Sequence, residues 1–507
     1  MSKYSIKRAA ILMVLATIIE KALGFGREMV IASQFGATGL TDAYIGGYLV
    51  PYFIMALLYA GLVNVYSPLF LSEKEADEDM AWEKINSISS YLLILILFMT
   101  VIGIVFSGQI IKLLYPGFTP ENIEAAASIS RIFFIGVFIY SGTIIEGALL
   151  NCYRQFIYPL IAISLLSAGI IAGVFLFGGS TNINSIAYGY MTGAAIGLIL
   201  QFMKLKSIDK RFSLNLKMYP EFTQKFFGML LPILIATSMS QVNVFVDRIF
   251  ASYLAEGSMS YLSYGNKVVE LPITLFAGII STIIFPDLID YINKEDRENL
   301  KIYLNKALII SLIFLIPSFA GLITLRMDVV KLLYERNVFT SSDTINTSLA
   351  LLGYSPTIIL YGGTAVISKV YYSMRDTKTL MYISLFTIFL NALMDYFFMK
   401  TMRHLGLALA TSLVAVFQFG MAYWMLKKKI SISMGTYLLK NLIKICAAAA
   451  VMSGVITVLN NIISISSHTI TVAILILAGV SVYFALIILF KVDEVKTIID
   501  KIRKRGK

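Results

Sequence analysis

Residues 27–51, REMVIASQFGATGLTDAYIGGYLVP, return in altered form as residues 246–272, VDRIFASYLAEGSMSYLSYGNKVVELP. Each copy places an acid before I/F-A-S, then a small-residue turn, then an apolar stretch that reaches V/L-P. About six apolar spans separate the copies, so both enter the bilayer in the same orientation, as in transporters built from two similar lobes. The repeat therefore predicts two six-helix lobes with a substrate site between them, followed by two additional helices.

Composition outside the repeat agrees. The 507-residue chain is 58% hydrophobic and only 14% charged, with a mean hydropathy of +0.79, outside the balance of a soluble domain. Apolar runs long enough to cross a hydrocarbon layer of about 30 Å recur throughout, about fourteen in all. The expected fold is an all-α integral membrane protein: an N-lobe over 1–222, a C-lobe over 223–430, and two helices with a basic tail over 431–507. The N-terminal MSKYSIKRAAILMVLATIIEK starts like a signal peptide, but its apolar run continues past signal length without a cleavage site, and it reads as a retained first helix. Lys3, Lys7 and Arg8, the Lys204–Lys217 connection and the tail KIRKRGK fall on one side of the bilayer. Loops such as PGFTPEN and ISISSH are nearly free of lysine and arginine, so both termini are expected in the cytoplasm. The net charge of +12 follows from that asymmetry and points to anionic lipid rather than nucleic acid. Cys152 and Cys446 have no disulfide or metal pattern.

Within the first span, EKALGFGRE (Glu20–Glu28) carries two acids and two bases. A charge at the bilayer centre costs about 2.5–3.5 kcal/mol on insertion scales, so four must face water or one another. Glu20 and Arg27, and Lys21 and Glu28, are seven apart and lie along shared stripes. Gly24 and Gly26 between them suit a break in the helix or close approach of a ligand. Other spans hold Asp42, Arg131, Glu146, Asp247, Arg248, Lys267, Glu270, Lys369 and Asp395. Arg27 and Lys267 sit in the repeated segments and Lys21 just before the first, and cations converging there suit a phosphate or pyrophosphate, arginine as a fork and lysine as a point charge. Arg131 and Arg248 read equally well as structural partners of Glu146 and Asp247.

A second constellation is built of oxygens. Asn391 and Asp395 are four apart on one helix face, and with Asp247 and Thr411 they offer carboxylate, amide and hydroxyl oxygens to a hard cation such as sodium. A polar helix–helix clasp fits the same spacing equally well. No paired-carboxylate motif, metal-ligand spacing, P-loop or nucleophile elbow occurs, which points away from an enzyme. With no ATP site, transport must draw on an ion gradient, the membrane potential or the substrate gradient.

Four stretches carry a family resemblance: LGFGREMVIASQFGATGLTDAYIGGYLVP, EGALLNCYRQFIYPLI, the long run from LLPILIATSMSQVNVFVDRIF to STIIFP, and YYSMRDTKTL. In order and spacing the chain resembles the MurJ (MviN) lipid II flippases of the multidrug/oligosaccharidyl-lipid/polysaccharide exporter superfamily. The resemblance implies fourteen helices in a bacterial inner membrane. It also implies outward movement of undecaprenyl-pyrophosphoryl disaccharide-pentapeptide for peptidoglycan synthesis by alternating access to a cationic cavity. It places Lys21, Arg27, Asp42, Lys267 and Glu270 in the cavity, and Asp247, Asn391, Asp395 and Thr411 at a sodium site; Glu28 reads beside them as a group that sets cavity charge or pairs with the bases. The last two spans would form a groove for the lipid tail. Lys21 and Lys267 stand where arginine is common, and Met55, Ala56 and Ala60 replace charged residues frequent after the proline. Both departures take charge or forked hydrogen bonding away from the cavity. Flipping of another polyprenyl-linked oligosaccharide is a second reading, since it needs the same pyrophosphate site. A cation-coupled drug antiporter, expected to have acids dominating its cavity, is a third, and a membrane scaffold for cell-wall or division proteins a fourth.

Overall fold

A computed structural model of the chain describes residues 3–178, 182–208, 212–283, 285–294, 296–430, 435–463, 465–492 and 494–495. Lys210 and Arg211 of the basic connection and the tail KIRKRGK lie outside the described residues, as do the side chains of Lys3, Lys7 and Arg8. The described residues form seventeen helices. They are α1 Lys3–Phe35, α2 Gly39–Lys74, α3 Glu78–Val105, α4 Ser107–Leu114, α5 Pro120–Cys152, α6 Ile157–Leu176, α7 Asn184–Ser207, α8 Pro220–Ala251 and α9 Ser258–Ile283. The chain continues with α10 Phe285–Asn293, α11 Arg297–Thr324, α12 Arg326–Tyr334, α13 Ser341–Tyr354, α14 Thr357–Ser373, α15 Thr377–Ile430, α16 Thr436–Ile462 and α17 His468–Leu489.

Among the described residues, eleven helical segments are long and apolar enough to cross a membrane. One of these segments, α15, contains two spans. The 54-residue α15 is interrupted at Arg403, which has φ 52°. The Lys429 ammonium lies 3.2 Å from the Thr379 hydroxyl, so this element doubles back on itself as two antiparallel helices. The two remaining long helices are α1 and α9, which bring the long helical segments to the expected fourteen.

The chain divides into two compact units: residues 1–260 with 336–340, and residues 261–335 with 341–507. In the first unit, α5 is the central helix, packed against α2, α3 and α7. Its core includes the fully buried Tyr66, Phe70, Phe133 and Leu149. Helices α6 and α7 cross where Gly169 and Gly173 meet Gly189 and Gly193. A Cβ on Gly189 would lie 2.4 Å from the Gly169 carbonyl oxygen, so only glycine permits this approach.

The first unit also shows what the sequence repeat does. Both copies turn through a glycine at positive φ, Gly36 at 65° and Gly257 at 87°. The matching serines, Ser33 and Ser252, are each covered by a loop from the other half of the chain. Val338 donates its backbone N–H to the Ser33 carbonyl at 3.1 Å, while Gly117 lies so close to the Ser252 carbonyl that a Cβ would be 2.2 Å away. These loops follow the related segments KLLYPGFT (112–119) and KLLYERNVFT (331–340).

The second unit packs α11 against α14 and α16, and α16 against α17. Buried hydroxyls tie helices to one another: Tyr371 donates to the Ala422 carbonyl at 2.9 Å and Tyr483 to the Ile313 carbonyl at 2.7 Å. In the small-residue run of α16, Ala448 and Ala449 are buried.

Candidate functional site

Helix α1 runs unbroken through Gly24 and Gly26, which corrects the expectation of a break there. A Cβ on Gly26 would meet nothing within 4 Å, so this glycine leaves open space beside an intact helix. The charge pairing also differs from the seven-residue stripes. Arg27 binds Glu28 at 2.6 Å and Lys21 binds Glu20 at 3.3 Å. Seven residues rise about 10.5 Å along a helix, too far for direct bridging, whereas neighbouring long side chains can curl together.

Arg27 and Lys21 occupy different surroundings. The Lys21 side chain is 67% exposed; those of Arg27 and Glu28 are 25% and 12% exposed. Glu28 takes the Arg27 Nη2 donor, and the buried Nε has no hydrogen-bond partner among the described residues. Tyr44 and Tyr48 of α2 lie within electrostatic range of the guanidinium. They begin a stripe, Tyr44, Tyr48 and Tyr52, with ring centroids 6.1 and 5.3 Å apart. Phe133 of α5 packs 4.7 Å from Tyr48, and Tyr190 of α7 lies 5.3 Å from Phe133. The Tyr190 hydroxyl donates to the Met55 sulfur at 2.6 Å. Met55 thus completes an aromatic wall at a position where the resemblance led one to look for charge. The i, i+4, i+8 spacing of the three tyrosines was available in the sequence, but in a chain that is 13% aromatic it did not stand out.

Asp42 has a separate environment in the same unit. Its Oδ2 accepts from the Gly257 N–H at 2.7 Å, and its Oδ1 accepts from the Ser260 N–H at 2.8 Å and hydroxyl at 2.6 Å. A carboxylate at the start of α9 satisfies donors that the first turn of a helix leaves open and complements the helix dipole. Nearby, Glu256 accepts from the Asn122 amide at 2.9 Å.

The suggested partnerships of Arg131 and Arg248 resolve differently. Arg131 donates to the Ser107 hydroxyl at 2.8 Å and not to Glu146, which lies about four turns further along the same helix. Arg248 donates to the Met259 carbonyl at 2.9 Å.

In the second unit, Lys267 and Glu270 form an ion pair at 3.1 Å, both side chains somewhat over two-fifths exposed, and the Asn266 amide donates to the other Glu270 oxygen at 2.9 Å. The buried Asn391 donates its amide to the buried Asp395 at 2.8 Å. This orientation turns the Asn391 amide nitrogen toward the carboxylate. Thr411 donates to the Leu407 carbonyl at 3.2 Å. The donor set is all oxygen and fits a hard cation in chemistry. Among the described residues, no group of three or more His, Cys, Asp and Glu side chains is arranged to hold a metal.

A multi-pass bundle with intramembrane charge, aromatic walls and paired repeats is a membrane transporter rather than an enzyme. Residues 31–478 match the family model described as lipid II flippase MurJ. A probable lipid II flippase MurJ of Buchnera aphidicola subsp. Baizongia pistaciae is 30% identical over 485 residues, 93% of each chain. A solved structure described as lipid II flippase MurJ, inward closed conformation, superposes with a TM-score of 0.80 at 26% identity, covering 96% of this chain and 100% of that one. A multidrug resistance MATE family transporter of the MOP superfamily shares the fold, at TM-score 0.69 and 14% identity over 83% of this chain and 98% of its own. The chain belongs to the MurJ family of lipid II flippases.

Proposed function

We propose that the chain carries the lipid II headgroup from the cytoplasmic to the outer leaflet by alternating access, and that Arg27 is the principal contact for its pyrophosphate. The observation that carries this reading is the Arg27 guanidinium, bound on one edge by Glu28 and holding a buried Nε–H without an acceptor among the described residues. A buried donor left unsatisfied is costly, and an anionic oxygen is the strongest acceptor for it. Lys21 and Lys267 add point charges, with Glu20, Glu28 and Glu270 as counterions that release them to phosphate. Asp42 sets local charge through the start of α9. The rings of Tyr44, Tyr48 and Tyr52 give the saccharide an apolar face beside Arg27.

We further propose that Asp247, Asn391, Asp395 and Thr411 bind sodium as the coupling ion. The division into lobes at 1–222 and 223–430, the lipid groove on α16 and α17, and the cytoplasmic placement of both termini belong to the same proposal. Arg27→Ala is expected to abolish rescue of cells depleted of their own lipid II flippase while reaching the membrane at normal levels. Arg27→Lys, which keeps the charge and loses the fork, is expected to rescue partially. Full rescue by Arg27→Ala would refute the role.

A further inference from the structure

The first unit contains a cavity of about 390 Å³ between α3, α5 and α7 that the flippase reading does not use. Its wall is hydrocarbon: Leu93, Phe138, Leu198, Ile199 and Phe202 line it. Ile199 and Phe202 are 57% and 47% exposed on the outer face of a membrane-spanning helix, so the cavity opens toward lipid. Among the described residues, one polar side chain reaches it. Glu146 is 5% exposed, and its Oε2 is buried with no hydrogen-bond partner among the described residues. Arg131, the base on the same helix that the sequence offered as its partner, is committed to Ser107.

A carboxylate enclosed by hydrocarbon is costly unless a cation or donor pairs with it, and burial of the pair is favourable only when the partner also fills the apolar surroundings. The volume lies within the range of small-molecule sites, and one orienting polar group in an apolar pocket is their usual composition. Glu146 sits six residues, about 9 Å along the axis, from the end of α5, a depth an amphiphile reaches from the headgroup region.

We propose that this cavity binds a lipophilic amine taken up from the bilayer, with the ammonium on the Glu146 carboxyl and the hydrocarbon against Phe138, Leu198 and Phe202. The occupant is a single-chain alkylammonium, since the acid selects a cation and the rest of the described wall offers no further polar contact. This site is separate from Arg27, and its failure would leave the flippase assignment intact.

The test is equilibrium binding of radiolabelled dodecylamine to the full chain in phosphatidylcholine nanodiscs, with binding to empty discs subtracted. Saturable binding of a single amine per chain is expected, weakened at least about tenfold by Glu146→Gln. Ile199→Trp, at an exposed position on the cavity mouth, is expected to weaken it independently and keeps the test decisive if the Gln variant fails to fold. Unlabelled dodecanol and dodecanoate are expected to compete poorly. Non-saturable binding, equal binding to wild type and Glu146→Gln, or competition by dodecanol as strong as by dodecylamine would overturn the proposal; the last result would make the cavity a generic acyl-chain slot.

Discussion

Asp42 holds Ser260 across 218 residues of sequence, accepting from both its backbone N–H and its hydroxyl. One carboxylate from the first repeat thereby closes the first turn of α9, the helix after the turn of the second. Removing it in Asp42→Ala leaves three donors without their acceptor and should cost roughly 3 kcal/mol, against about 1 kcal/mol for Ser260→Ala. Thermal unfolding of the purified chain in detergent should rank wild type above Ser260→Ala and Ser260→Ala above Asp42→Ala. Equal midpoints would show that this connection contributes nothing to the fold.

Two glycines in membrane helices should respond in opposite ways to the same change. At Gly189 an added methyl collides with the Gly169 carbonyl, which belongs to backbone and cannot swing aside. Gly189→Ala is therefore expected to destabilise by about 1–3 kcal/mol. At Gly26 the methyl meets open space, and Gly26→Ala should be neutral or stabilising by up to about 1 kcal/mol through helix propensity. Melting curves of the two variants side by side decide the matter, and a common response would contradict the packing described for α6 and α7.

Asp376, in the turn before α15, should shape the acid limb of stability. Burial acts to raise its pKa, but hydrogen bonds from Lys429 and Thr379 outweigh it and hold the carboxyl below its ordinary value. A depressed native pKa means that this contribution is fully present above the unfolded-state value of about 3.9 and disappears as pH falls through the native value. The melting temperature of the wild type should thus drop more between about pH 5 and 3 than that of Asp376→Asn. Parallel pH profiles would remove Asp376 from the account.

Sodium coupling makes a separate prediction. If Asp395 supplies the charged oxygen of the cation site, Asp395→Asn should abolish the dependence of transport on sodium while the protein still reaches the membrane. Asn391 already donates to that carboxylate, so loss of its charge weakens the cation without enlarging the site. Sodium dependence that persists in Asp395→Asn would exclude the site.

Much of the architecture was legible in the sequence. Hydropathy marks spans because hydrocarbon imposes it, and the two copies ending at Pro51 and Pro272 marked the internal repeat. What stayed hidden depends on three-dimensional partners. The relation between KLLYPGFT and KLLYERNVFT is blurred by inserted residues, and only the contacts at Ser33 and Ser252 reveal a common role. The glycines of α6 and α7 look like ordinary small residues until the crossing is seen.

The candidate site was legible in its residue types more than in its geometry. Spacing placed Glu20, Lys21, Arg27 and Glu28 on stripes, but side-chain reach favoured sequence neighbours over partners two turns away. Asp42 stood out as a charge within a span, yet its partners, Gly257 and Ser260, are too distant in sequence for any local pattern to expose.

The most direct test of the central claim is reconstitution of the full chain in lipid vesicles containing lipid II labelled on its headgroup, following accessibility of the label across the bilayer. The wild type should translocate the headgroup well above the rate of protein-free vesicles, and Arg27→Ala, inserted to the same level, should fall to that background. Translocation by Arg27→Ala at the wild-type rate, or none by the wild type, would contradict the account.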